Sequence, residues 1–202
     1  MVKKVRKPAR RRAKQERAHA TLAVVLEAAA QVLQREGYAR ATTNRIAEVA
    51  GVSVGTIYQY FPNKDAIFDA VIRQEIAQLL GVLQQAVPDP RESFADALRG
   101  VLLALVQSRP DAPALYRSLE HVPNGLFRRR ITDARGNAVA WVRALLAAHP
   151  KDVRVRDLDT AAFVVVAAAE GIAVNASADF FQKRGVDEVA SLFTRYLMRD
   201  AR

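Results

Sequence analysis

The chain has 202 residues, 50% of them hydrophobic and 26% charged. That is enough apolar material for a buried core in one large domain or two small ones, and too much for a disordered chain. With no cysteine there is no disulfide framework, thiolate metal site or cysteine nucleophile, a composition that fits a reducing cytoplasm, and the longest uninterrupted apolar run, Ala161–Ala169, falls well short of the roughly 20 residues of a membrane span.

The net charge of +10 is concentrated at one end. Residues 1–17 carry nine lysines and arginines against Glu16 alone, whereas the remaining 185 residues hold 22 basic and 20 acidic side chains. Residues 1–16 therefore read as a basic arm, too self-repelling and too poor in apolar residues to pack by itself, and disordered without a partner. Such an arm is either a solubilising tail or a contact for phosphates. Charge alone does not separate nucleic acid from an anionic membrane surface. Nor does the start read as a secretory signal, because Glu27, Gln31 and Gln34 interrupt the apolar stretch that follows.

In chain order, Leu22, Val25, Leu26, Ala29, Val32 and Leu33 recur at helical spacing within Ala18–Glu36, and Gly37 follows as a stop. Two short segments, Thr43–Ala50 and Ser53–Tyr60, flank Gly51-Val52. After Phe61-Pro62 a helix starts at Asn63 or Lys64 and runs to about Gln85, ended by Pro88-Asp89-Pro90. Further helices are expected at about 92–108, 113–121, 125–148, 157–178 and 187–199, separated by Arg109-Pro110, Pro123-Asn124, His149-Pro150 and Gly185. Val153-Arg154-Val155 is too short for a strand. The predicted fold class is all-α.

Two short helices joined by a tight turn containing glycine form a helix-turn-helix. Ala47 is small where the helices must approach, Gly51 suits a left-handed turn, and Ser53 is a good N-cap. Ile46, Ala50, Val52, Ile57 and Tyr60 take the inward positions. Val54, Gly55, Thr56, Tyr58 and Gln59 face outward, small or hydrogen-bonding and uncharged, which suits a helix tip pressed into a groove.

The run Thr42-Thr-Asn-Arg-Ile-Ala-Glu-Val-Ala-Gly-Val-Ser-Val-Gly-Thr-Ile-Tyr-Gln-Tyr-Phe-Pro-Asn-Lys64 closely resembles the DNA-binding domain of TetR-family transcriptional regulators, and the likeness extends from about Arg17 to Gln74. The resemblance implies that Thr43 meets a backbone phosphate with Asn44 or Arg45 close to DNA, that Val54, Gly55 and Thr56 face base edges beside the Ser53 cap, and that Tyr58 and Tyr60 touch phosphates or the groove wall. Gln59, Thr56, methyl contacts, Arg45 and DNA shape would carry base discrimination, since the tip has no Arg, Asn or Asp. Lys64, a cation in the first turn of a helix, opposes the macrodipole; it reads either as half of a phosphate clamp or as an exposed lysine.

The remainder resembles the family only in layout. Tyr116, His121, Phe127 and Trp141 supply aromatic and polar surface where family members line a pocket, with core packing as the alternative. Glu170 and Asn175, polar groups in a very apolar helix, are ligand contacts, subunit-interface groups or satisfied core groups. That helix, with Val189, Leu192, Phe193, Tyr196 and Leu197 of the last one, is expected to pair across a two-fold axis in a homodimer. The three histidines have no metal-ligand spacing, and no nucleophile-elbow, Walker or dinucleotide motif occurs; no enzyme, metal or cofactor is expected.

The organisation is thus a basic arm (1–16), a helix-turn-helix domain (17–64, motif 43–62) and a ligand-binding and dimerisation domain (65–202). The function read from it is a cytoplasmic, sequence-specific DNA-binding regulator, a repressor released from a palindromic operator by a small, largely apolar effector, without a membrane partner. The alternative is a non-specific nucleic-acid-coating protein that uses the basic arm.

Overall fold

The computed structural model describes residues 8–86, 92–108, 112–122, 125–182 and 184–198. Among them, helices α1 (Pro8–Arg40), α2 (Thr43–Ala50), α3 (Val54–Tyr58), α4 (Lys64–Gln85), α5 (Phe94–Ser108), α6 (Ala112–Glu120), α7 (Leu126–Ala148), α8 (Leu158–Asn175), α9 (Ala178–Gln182) and α10 (Gly185–Leu197) leave no room for a sheet. The only extended pairing among these residues is one bridge between Val153 and Met198, where Arg154 N donates to Leu197 O at 2.9 Å. The proline-bearing separators at 88–90, 109–110 and 123–124 lie outside the described residues.

The chain divides into two compact units between Val71 and Ile72, inside α4. The expected boundary lay seven residues earlier, at 64–65. It moves because Ile67, Phe68 and Val71, in the first two turns of α4, are buried, and Phe68 packs on Tyr38, ring centroids 5.5 Å apart.

In the first unit, α1 buries Val25, Leu26, Ala28, Ala29, Val32 and Leu33, one helical stripe, and α2 and α3 add Ile46, Ala47 and Ile57. Helix α1 departs from expectation at both ends. It begins at Pro8, so the part of the basic arm from residue 8 onward is helical rather than irregular, and residues 1–7 lie outside the described residues. Proline suits a first helical position, and the Ala, Arg, Lys and Gln that follow prolong an existing helix at little cost because nucleation has already been met. At the other end Gly37 (φ 74°, ψ 165°) breaks the helix, but one further turn follows it.

The second unit is a bundle whose core joins Phe94 and Leu98 of α5, Leu145 and Leu146 of α7, Ala161, Ala162 and Val165 of α8, and Val189, Phe193 and Leu197 of α10. Helix α8 starts where the Asp157 carboxylate accepts from Thr160 Oγ1 at 2.6 Å and from Thr160 N at 3.0 Å, and these bonds, the hydroxyl's first, hold the Asp157 carboxyl below its ordinary range. It ends at Asn175, capped by Ala176 and earlier than expected, where Arg117 donates to the Val174 and Ala176 carbonyls at 3.2 and 3.0 Å. Ser177 then caps α9 through Phe180 N at 3.2 Å. The sequence reading missed this short helix, for which Ser177 with Asp179 was the available signal. Helix α8 has the length and mean hydropathy of a membrane span, yet Glu170 lies within it, ion-paired to Arg135.

Candidate functional site

The turn between α2 and α3 is built by backbone chemistry. Thr42 Oγ1 accepts from Arg45 N at 3.1 Å and opens α2. At the other end Gly51 adopts φ 67°, ψ 30°, its N–H donating to Glu48 O at 3.2 Å while Val52 N donates to Ala47 O at 3.1 Å. This 6→1 and 5→2 pair satisfies the orphan carbonyls of the last turn. Ser53 Oγ then accepts from Thr56 N at 3.0 Å and lies 2.8 Å from Thr56 Oγ1, which starts α3. Ile46 and Ile57 are fully buried beneath the two helices and hold α3 by its inner side.

What α3 leaves outside is uncharged. Ser53, Gly55, Tyr58, Gln59 and Tyr60 are exposed and Val54 and Thr56 half-buried. Tyr58 is 55% exposed, its hydroxyl 3.3 Å from Thr43 Oγ1 at the start of α2. Asn44 is exposed beside it. Tyr60, read as an inward position, is 38% exposed, and Phe61 is buried instead. The reason is that α3 stops at Tyr58: Tyr60 N and Phe61 N both donate to Ile57 O at 2.9 Å, so helical periodicity no longer places residue 60.

Two expected contacts prove to have protein partners. Arg45 Nε donates to Glu36 Oε1 at 2.7 Å and its Nη1 to Glu48 Oε2 at 2.9 Å; hydrogen bonds to Glu36 first and Glu48 second push its guanidinium pKa upward. Lys64 Nζ donates to Tyr38 O at 3.0 Å and sits 4.0 Å from the centre of the Tyr38 ring. A lysine at this helix start therefore has a local explanation that needs no anion. The Tyr38 hydroxyl bonds the Asp65 carboxylate. Burial, then the bond to Asp65 and its charge, push the Tyr38 phenol up to about 12. Lys64, Asp65 and Phe68 thus grip the one turn of α1 beyond Gly37.

Within the second unit lies a cavity of about 540 Å³. Tyr116, Phe127, Trp141, Glu170 and Asn175 are all in its wall, together with Leu79 and Leu83 of α4. His121 is not. It is exposed at the end of α6, where its Nδ1 lies 2.8 Å from Arg117 O, one turn back in its own helix. Asn175 Nδ2 donates to Gly171 O at 2.8 Å. Arg135 Nε donates to Glu170 Oε2 at 2.8 Å, and this bond raises the guanidinium pKa. Sequence reasoning did not single out Arg135, because its partner is 35 positions away and no local pattern links the two. Among the described residues no three His, Cys, Asp or Glu side chains gather as metal ligands would.

An all-helical chain with an N-terminal helix-turn-helix and a separate helical bundle enclosing a cavity has the build of a DNA-binding regulator. A family model of bacterial regulatory proteins of the tetR family matches residues 25–71, and one of tetracyclin repressor-like C-terminal domains matches residues 93–197. The nucleoid occlusion factor SlmA of Haemophilus ducreyi is 35% identical over 96 residues, 47% of this chain and 47% of that protein, so the chain spans about half the length of such curated relatives. Among solved structures, the SmeT–triclosan complex matches with TM-score 0.72 at 19% identity, covering 90% of this chain and 93% of that one. The fatty acid degradation regulator FadR from Bacillus halodurans matches at 0.69 and 18%, over 86% and 94%. At these identities the structures establish fold alone. The chain belongs to the TetR family of bacterial regulatory proteins, with the family's helix-turn-helix domain at its N-terminal side.

Proposed function

We propose that the protein is a cytoplasmic repressor that binds an approximately palindromic operator as a homodimer and leaves it when a small, largely apolar molecule enters the cavity of the second unit. The observation that carries this reading is the surface of α3. Residues 53–60 contain no charge, yet most of them are exposed. A solvated helix face is normally charged, whereas a face that packs against base edges needs small and hydrogen-bonding groups. Phe163 and Val164 on α8 and Leu192 on α10, 51%, 40% and 54% exposed, support a two-fold contact through these helices. Two such protomers would address half-sites about 34–36 Å apart, or a multiple.

Helix α4 supplies the route for release. Its C-terminal half puts Leu79 and Leu83 into the cavity wall, and its first turns hold Tyr38. A ligand that prefers the α4 position incompatible with DNA shifts the equilibrium, and a tenfold loss of DNA affinity takes about 1.4 kcal/mol of coupling. The test is selection of bound sequences from random DNA, repeated with small apolar molecules present. A palindromic consensus whose enrichment a ligand abolishes supports the reading. A flat profile points instead to a nucleic-acid-coating protein.

A further inference from the structure

We infer that the cavity of the second unit selects a lipophilic monocation, a protonated amine on a hydrocarbon body, over neutral or anionic molecules of the same shape. This rests on the reading of that cavity as the effector site. Among the described residues, three side chains of fixed charge line it: Glu120, Arg135 and Glu170. Arg135 is engaged, its Nε and Nη2 at 2.8 and 2.5 Å from one oxygen of Glu170. The Glu170 carboxylate thus neutralises the guanidinium and stands beside any anion that approaches its remaining N–H groups, so an anionic ligand gains little from Arg135. Glu120 has no ion-pair partner among the described residues and is exposed to solvent. Among the described residues the lining therefore carries one negative charge more than positive, on a carboxylate that needs no partner exchange to accept an N–H donor.

The apolar part of the wall points the same way. Tyr116, Phe127, Trp141, Phe181 and Phe193 all contribute to it, the first two with ring centroids 6.3 Å apart. Aromatic faces attract a cation and are indifferent to a neutral chain, and the attraction grows as water is excluded. At about 540 Å³ the cavity has the size of a pocket for a drug-sized ligand, so a hydrocarbon body can fill the apolar wall while its head meets Glu120.

Trp141 is the only tryptophan of the chain and lies in the wall, so its fluorescence reports occupancy of the full-length protein directly. Decylamine, 1-decanol and decanoate, matched in length and kept below micelle formation at neutral pH, are titrated in parallel, with release of bound DNA as a second readout. Decylamine is expected to bind at least about tenfold more tightly than decanol, with decanoate weakest, and Glu120→Gln to remove most of the amine's advantage while decanol still binds. Equal affinities, a preference for decanoate, or an amine preference that survives Glu120→Gln in full would each overturn the assignment of ligand class. Decylamine binding most tightly of the three without release of DNA would overturn the effector reading and leave the class preference standing. No binding by any of the three would overturn both.

Discussion

Tyr38 is the residue on which the first unit's geometry turns. Its ring lies on Phe68, its carbonyl accepts from Lys64 and its hydroxyl bonds Asp65. Its phenol is held up to about 12 in the folded protein against an ordinary value of 10.0. The unfolded chain therefore gives up this proton first as pH rises. The stabilisation is fully present below pH 10 and is lost as pH climbs through the folded-state value. Thermal melts at pH 9 to 12 should show wild type losing Tm more steeply than Tyr38→Phe; parallel curves would mean that the hydroxyl contributes nothing. A second pair of substitutions separates positioning from reading on α3. Gln59→Ala should change which bases are preferred, by about 1–3 kcal/mol at the contacted position. Tyr58→Phe, which removes an exposed hydroxyl beside Thr43, should weaken all sequences alike, as competition binding on a variant operator panel would register. At this scale the sequence was legible where a residue's role is local: Ser53 and Gly51 act on backbone within a few positions. It was illegible for Arg45, whose partner Glu36 lies nine positions back across the Gly37 break, and for Tyr60, whose direction depends on α3 ending two residues earlier.

Among elements, the agreement is closest where punctuation and periodicity coincide. Helix α2 occupies Thr43–Ala50 and α4 Lys64–Gln85, the spans that Gly51, the Phe61-Pro62 stop and Pro88-Asp89-Pro90 imply. The departures have a common cause, since α1 beginning at Pro8 and α8 giving way to α9 both depend on whether a helix can be prolonged, which composition alone does not decide. The two glycines of the first unit with positive φ, Gly37 and Gly51, offer a sharper comparison. A Cβ at Gly37 or at Gly51 would touch nothing within 4 Å, so any penalty there is one of backbone alone. Gly51 sits in the left-handed helical region that asparagine tolerates, whereas Gly37, at ψ 165°, lies where essentially only glycine is found. Gly51→Asn should therefore cost under about 1 kcal/mol and Gly37→Asn about 1–3 kcal/mol in urea denaturation. Equal costs would mean that the Gly37 break relaxes into ordinary helix.

For the whole molecule, assembly is the first quantity to measure. Leu192→Glu places a charge in the face offered by α8 and α10, and sedimentation should show the dimer giving way to monomer, with operator affinity falling alongside. A wild-type monomer at micromolar concentration would remove the two-fold model. The fold class was legible here because helix periodicity needs no partner, whereas the charge balance of the cavity depends on pairs such as Arg135 with Glu170 that only the folded chain brings together. A last consequence follows from how far apart in sequence each unit's contacts lie. The first unit is tied by near neighbours: Glu36 to Arg45, Thr43 to Tyr58, and Tyr38 to Asp65 only 27 positions on. The second is closed by Arg99 to Asp187, 88 positions apart, and by Arg117 to Ala176, 59 apart. Short loops close fast and long ones slowly. On a ribosome, the DNA-facing unit can thus acquire its shape while the partner residues of α10 are still unmade. In stopped-flow refolding, part of the helical circular dichroism should return before the Trp141 fluorescence, which reports only the later unit; coincident traces would show that the chain waits for its end before any of it folds.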